Sequence, residues 1–202
     1  MDKRVIFIDN GHGVDTPGKR SPDGKLLEWH MNRIISVGVL EGLAVRGVTA
    51  ELVTPEDEDV SLPERCRRVN EACLLFGTRN TRLVSIHINA AGKGDKWMNA
   101  RGWCAYTFPG RTLADGMANY LYAAAEKALP GQKIRKDMSD GDPDYEAGFY
   151  IINGAACPAV LTENMFQDCV DEVRFLISDE GMQACVDIHH QGITEFVRQM
   201  NW

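Results

Sequence analysis

Four side chains carry the chemistry open to this chain. An apolar run at Val5–Ile8 leads into Asp9-Asn10-Gly11-His12-Gly13, and Glu28 stands where the first helical pattern opens. A second run gives Ser85-Ile86-His87-Ile88-Asn89-Ala90, and a third gives Val160-Leu161-Thr162-Glu163-Asn164. Two imidazoles, one carboxylate and an open coordination position make the donor set of a catalytic zinc, one per chain. Such an ion brings the pKa of water from about 15.7 to about 7. A second carboxylate, off the metal, is then needed to take and return the proton. On this reading His12, Glu28 and His87 bind and Glu163 shuttles. The short HExxH helix motif is absent, so the site has to be assembled from separated segments.

Each residue also has an ordinary structural reading. His12 between glycines serves to cap a turn, and Glu28 in a first helical turn is favoured by the macrodipole. His87 reads equally as a half-buried strand imidazole, and Glu163 as a helix cap or the partner of an arginine. What sets the four apart is that all fall at strand or helix ends on one expected rim. His30 follows Glu28 by two residues and so points elsewhere on a helix. His189 and His190, in the last helical pattern, read as surface or flank residues. Asp9 is expected to orient His12 from behind, as carboxylates do for ligating imidazoles.

The elements that would position these groups alternate. Val5–Asp9 reads as a buried strand, 10–25 as a Gly- and Pro-rich loop, and 27–46 as a helix. Val48–Thr54 is β-branched and alternating. Ser61-Leu62-Pro63-Glu64 has the form of a capping box ahead of a helix bearing Cys66, Val69 and Cys73. Leu83–Ile88 and Trp103–Phe108 read as strands. Leu113, Met117, Tyr120, Leu121, Ala124 and Ala128 line one helix face. The polar stretch 131–146 reads as a mobile loop with a short strand near Ile134. Phe149–Ile152 and Ala159–Thr162 read as two further strands, followed by one or two helices carrying Cys185, Ile188, Ile193 and Phe196 inward. The pattern predicts one layered α/β domain over 1–202, its twisted central sheet largely parallel and flanked by helices. In such sheets, sites gather past the carboxyl ends of the strands.

Composition narrows the function. The 202 residues carry 22 Lys and Arg against 29 Asp and Glu, a net charge of −7, which argues against phosphate-driven nucleic-acid binding. No apolar run approaches the roughly 20 residues of a membrane span, and no leader with an apolar core of about 7–15 residues is visible. The six irregularly spaced cysteines read as reduced, mostly buried thiols.

In this order the motifs resemble the zinc-dependent N-acetylmuramoyl-L-alanine amidases of bacterial autolysins and phage endolysins. The resemblance rests on Asp9-Asn-Gly-His12-Gly, Glu28 with Asn32, Ser85-Ile-His87-Ile-Asn89-Ala90 and Pro158-Ala-Val-Leu-Thr-Glu163. A Leu62-x-x-Arg65 helix with Val69-Asn70 lies between them, and the likeness runs from about Val5 to Val197. Departures fall at Asn10, Val14 and Met165, where the family often has Pro, Gly and Gly. The resemblance implies zinc on His12, Glu28 and His87, Glu163 as catalytic carboxylate, and substrate contact by Asn89. It implies hydrolysis of the amide joining the lactyl group of N-acetylmuramic acid to L-alanine, with peptidoglycan as partner; from charge and hydropathy, neither nucleic acid nor membrane is expected as a partner. The alternatives are a zinc hydrolase of another amide on the same fold, and a wall-binding protein without turnover. With no leader or wall-binding module visible, synthesis in the cytoplasm and action on the wall after release or export are expected.

Overall fold

The structure, a computed structural model, describes residues 3–202. Among these residues six strands and six α-helices follow in the order β1 (Val5–Asn10), α1 (Glu28–Val45), β2 (Ala50–Leu52), α2 (Leu62–Phe76), β3 (Thr81–Asn89), β4 (Cys104–Thr107), α3 (Leu113–Ala128), β5 (Tyr145–Glu146), α4 (Tyr150–Gly154), β6 (Ala159–Phe166), α5 (Val170–Leu176) and α6 (Asp179–Gln199). The strands form one sheet in the order β2-β1-β3-β6-β4-β5. Every pairing is parallel except β4 against β6. This is the expected largely parallel α/β architecture.

The near-continuous apolar runs of the central strands follow from burial on both faces. Ile6, Ile8, Val84, Ile86 and Val160 point into a core shared with α1, α3 and α6. Their neighbours Val5, Phe7, Leu83 and Leu161 point the other way, onto α2 and α4. All six cysteines are buried and unbridged. Among the described residues no helix is long and apolar enough to cross a membrane.

Several expectations are corrected. Phe149–Ile152 is not a strand: it enters the short helix α4, despite its β-branched residues. Asn70 of α2 grips the end of that helix, donating from Nδ2 to the Gly154 carbonyl at 2.9 Å and accepting from the Ala156 amide at 2.7 Å. This docks Ile151 and Ile152 into the second core, so packing overrides propensity. Leu113 is exposed rather than inward, because it opens α3 next to its capping residue Thr112. The loop after α3 is pinned to the sheet: Trp103 and Lys133–Arg135 exchange backbone bonds, and Thr107 donates to the buried Asp144 at 2.6 Å.

His189 and His190 are buried, not on the surface. Nδ1 of His189 donates to the Cys185 carbonyl at 2.7 Å, which leaves Nε2 to accept from the Thr162 hydroxyl at 2.8 Å. Burial pushes this imidazole down to about 4, so it stays neutral. His190 lies against α1 where Gly42 has no side chain; a Cβ there would fall 2.7 Å from the ring. Gly192 performs the same service for α3. Its Cβ would stand 2.9 Å from the Leu121 side chain, 3.0 Å from Leu121 Cα and 3.1 Å from the Tyr120 carbonyl. Gly192→Val is therefore expected to cost about 1–3 kcal/mol by overpacking. The check is a lowered urea midpoint at unchanged denaturant slope.

Candidate functional site

The carboxyl ends of β1, β3 and β6 lie side by side, and the amino end of α1 reaches the same rim. His12 sits in the loop after β1 with φ 67°, in the left-handed region. Its flanking glycines are steric requirements. A Cβ at Gly11 would fall 2.1 Å from Cε1 of His87, and one at Gly13 would fall 2.0 Å from the Asp59 amide nitrogen. Arginines clamp the loop from outside: Arg33 and Arg65 both donate to the His12 carbonyl, at 3.0 and 3.2 Å. From below, Asn32 donates to the Gly11 carbonyl at 3.1 Å.

Asp9 does not orient His12 directly. Its carboxylate accepts from Arg65 at 2.7 Å and from the Ser85 hydroxyl at 2.6 Å, deep in the sheet. Its influence on His12 passes through Arg65, which also donates to the Asn10 carbonyl at 3.1 Å. The buried guanidinium is thus the hub that ties the end of β1 to α2.

Glu28 is the first residue of α1 and only 1% exposed. Its Oε1 lies 3.3 Å from His12 Nε2 and 3.1 Å from His87 Nδ1, and it accepts from the Ile88 amide at 3.1 Å. Oε2 accepts from Nε2 of Gln167 at 3.2 Å. The two imidazoles stand edge to face with centroids 4.9 Å apart. One donor atom from each of His12, Glu28 and His87 lies within 4.8 Å of the others. The structure thus brings together three residues separated by as many as 75 positions (87 − 12 = 75). A buried carboxylate against two imidazoles is a donor set that fits a divalent cation of zinc type.

Burial alone would raise the Glu28 carboxyl, but the bonds and charges of both imidazoles outweigh it and hold it far below the usual range. Burial pulls the His87 imidazole down; the bond and charge of Glu28 oppose this and leave it raised.

Glu163 pairs with His87 across the parallel β3–β6 ladder. Beyond this pair two steps on β3 match three on β6, since Asn89 faces Phe166. The extra residue is a bulge immediately after Glu163, a device that re-aims side chains beside sites. Met165 lies within it at φ 65°, a position with a conformational cost of about 1–2 kcal/mol for a side chain other than glycine. The fully buried Met165 side chain offsets that cost by packing into the main core. Asn164 braces the bulge, donating to the His87 carbonyl and accepting from Trp103 Nε1, both at 3.0 Å.

Oε2 of Glu163 is sheltered from solvent and has no hydrogen-bond partner among the described residues. Burial pushes this carboxyl up to about 8; the His87 charge opposes the rise and the Glu28 charge adds to it. Asn89 lies at the end of β3, where its Oδ1 accepts from the Ala90 amide at 2.8 Å. His30 is exposed and takes no part in the cluster.

Two further residues hold the site from behind: Arg65, which the Leu62-x-x-Arg65 motif included without a role, and Gln167, which no motif included. Arg65 shares the apolar face of α2 with Val69 and Cys73, and a charge on such a face is a legible signal of a buried partner. Gln167 follows β6 as an isolated amide, with no spacing or residue type to mark it.

The fold and the clustered groups together define a layered α/β domain with two imidazoles and two carboxylates gathered at one sheet edge. The family described as N-acetylmuramoyl-L-alanine amidase matches residues 6–195, and the chain belongs to that family. It is 25% identical over 195 residues to the sporulation-specific N-acetylmuramoyl-L-alanine amidase of Bacillus subtilis (strain 168), covering 94% of this chain and 67% of that protein. It is also 25% identical over 195 residues to the endolysin of Bacillus phage SPP1, covering 96% of this chain and 66% of that one. The chain thus spans about two thirds of the length of both relatives. The catalytic domain of CwlV, an N-acetylmuramoyl-L-alanine amidase from Bacillus (Paenibacillus) polymyxa var. colistinus, superposes with a TM-score of 0.80 at 22% identity. That match covers 96% of this chain and 98% of the CwlV domain, and it establishes the fold.

The raised Glu163 carboxyl has a consequence for stability. The unfolded chain releases this proton near the ordinary value of 4.5, the folded chain only near 8. Between those values the unfolded state binds fewer protons, so folding weakens as pH rises. In metal-free protein, Glu163→Gln is expected to gain stability over the parent progressively from pH 5 to 8. Urea titrations of both at a series of pH values check this; a constant difference would contradict the burial of the carboxyl.

Proposed function

We propose that this chain hydrolyses the amide between the lactyl group of N-acetylmuramic acid and L-alanine of the peptidoglycan stem peptide, using one zinc ion. The observation that carries the reading is the convergence of His12, Glu28 and His87 beside an unpartnered Glu163, in a chain matched to the amidase family over residues 6–195.

His12, Glu28 and His87 would hold the ion. Zinc bound there supplies Lewis acidity at the scissile carbonyl and brings water close to ionisation at neutral pH. Glu163 Oε2 accepts the proton of the attacking water as its oxygen bonds to the lactyl carbonyl carbon. The same carboxyl then donates that proton to the departing nitrogen as the C–N bond breaks; the water's second proton passes from the new lactyl carboxyl group to the amine, leaving a carboxylate and the ammonium of L-alanine. Burial favours the protonated carboxyl that returns the proton, and a dication held beside it would favour the ionised carboxylate that accepts it. Glu28 is held ionised by the two imidazoles and is therefore kept out of this exchange. Asn89, at the end of the strand that carries His87, is assigned to substrate contact. Action on the wall follows release or export of the protein.

The test is the appearance of L-alanine amino termini when zinc-loaded protein is incubated with purified peptidoglycan. Release that a chelator abolishes is expected. New termini elsewhere in the stem would reassign the bond, and sedimentation with the wall without new termini would replace the enzyme by a binder. Glu163→Gln is expected to lower kcat by about 10²–10⁴ while retaining zinc.

The ligand set is tested by metal analysis. His12→Ala, His87→Ala and Glu28→Ala are each expected to bring zinc content towards zero, with circular dichroism verifying the fold. Stoichiometric zinc in either histidine variant rejects the assignment.

A further inference from the structure

We infer that Gln167 is a positioning residue for the metal centre, fixing which oxygen of Glu28 faces the two histidines; the inference rests on the zinc-site reading above. Glu28 divides its oxygens between two tasks. Oε1 faces His12 Nε2, His87 Nδ1 and the Ile88 amide. Oε2 has one hydrogen-bond partner among the described residues, Nε2 of Gln167 at 3.2 Å. Gln167 is itself 1% exposed. Without that donor, Oε2 would be a buried carboxylate oxygen with no bond, and the carboxylate plane would be free to rotate about its terminal torsion.

The amide is held for this purpose. Its backbone N–H donates to the Asn89 carbonyl at 2.8 Å, which clips the chain after β6 to the end of β3. The preceding Phe166 amide donates to Glu172 Oε2 at 2.8 Å, and Glu172 also accepts from the Gly102 amide at 2.7 Å. These bonds fix the backbone of Gln167 independently of its side chain. The side-chain orientation follows from charge: an amide oxygen facing the Glu28 carboxylate would be repelled, so the NH₂ faces it. Oε1 of Gln167 is buried and has no partner among the described residues. The bond to Glu28 is the one hydrogen bond that the Gln167 side chain makes among the described residues. That bond holds Oε1 of Glu28 towards the imidazoles, where the residues that would hold the cation converge.

The experiment measures zinc affinity by competition with a chromogenic chelator, beside thermal unfolding of the metal-free protein. Gln167→Met keeps the length and loses the donor. Gln167→Glu keeps the shape and replaces the donor by an acceptor, so it serves if the first variant folds poorly. A 10–100-fold rise in the zinc Kd of Gln167→Met, and a larger one in Gln167→Glu, are expected. A zinc Kd within twofold of the parent in either folded variant overturns the assignment, even where the metal-free Tm falls, because that pattern marks a packing role. If the parent binds no zinc, the zinc-site reading itself fails and this inference falls with it. A parent that binds zinc lost in His87→Ala but not weakened in Gln167→Met fails the positioning role alone.

Discussion

A carboxylate with 1% of its surface exposed is the constraint around which this sheet edge is built. Taking such a group out of water costs several kcal/mol unless its lone pairs and charge are matched. Glu28 meets that demand with groups drawn from across the fold: an imidazole from the loop after β1, an imidazole and an amide from β3, and a side-chain amide beyond β6. Each of these contacts ties a different part of the fold to the one carboxylate. The same requirement that gathers these donor atoms therefore also ties α1, the loop after β1, β3 and the chain after β6 to one another. Architecture and chemistry share one set of contacts.

The ionic framework behind that edge has a second tier. Arg65 and Asp9 are both buried and bonded at 2.7 Å, and Ser85 satisfies the other Asp9 oxygen. Arg65 spends its remaining donors on the carbonyls of Asn10, His12 and Val60 and on Asp59. A loop that holds His12 in the left-handed region needs such external bracing, since its own backbone does not favour the conformation. The bulge beside Glu163 solves the analogous problem on β6, where Met165 accepts an unfavourable φ and its buried side chain compensates.

This division explains how far the sequence could be read. The central strands were legible because burial on both faces demands continuous apolar runs. His12 and His87 were legible because Gly11 and Gly13 have no steric alternative, which fixes a motif of unusual composition. What escaped was decided by tertiary contact. The run Phe149–Ile152 has strand residues, yet two bonds from Asn70 make it helical. The pair His189 and His190 looks polar, yet Thr162 satisfies one ring and Gly42 leaves room for the other. Asp9 does act on the His12 loop, but through a guanidinium 56 positions along the chain. Gln167 carries no signal at all, because an amide acquires its role only from the oxygen it meets.

The two carboxylates of the site make the final point, because they are chemically identical and their environments drive them apart. Glu28 and Glu163 are both sheltered, so burial raises both. At Glu28 the bonds to two imidazoles reverse the shift; at Glu163 the His87 charge opposes it without a bond, and the carboxyl stays near 8. Opposed environments of this kind assign acid–base roles among identical groups. A group held ionised is suited to gripping a cation, and one that titrates near neutrality is suited to carrying a proton. The two respond to each other as well, since the negative charge on Glu28 is one of the influences that keeps Glu163 protonated. On the proposed reading, the division of labour belongs to the asymmetry between the two residues rather than to either one. That asymmetry comes from the loop, the ladder and the bulge, which bring His12 and His87 into contact with one carboxylate and leave the other unpartnered.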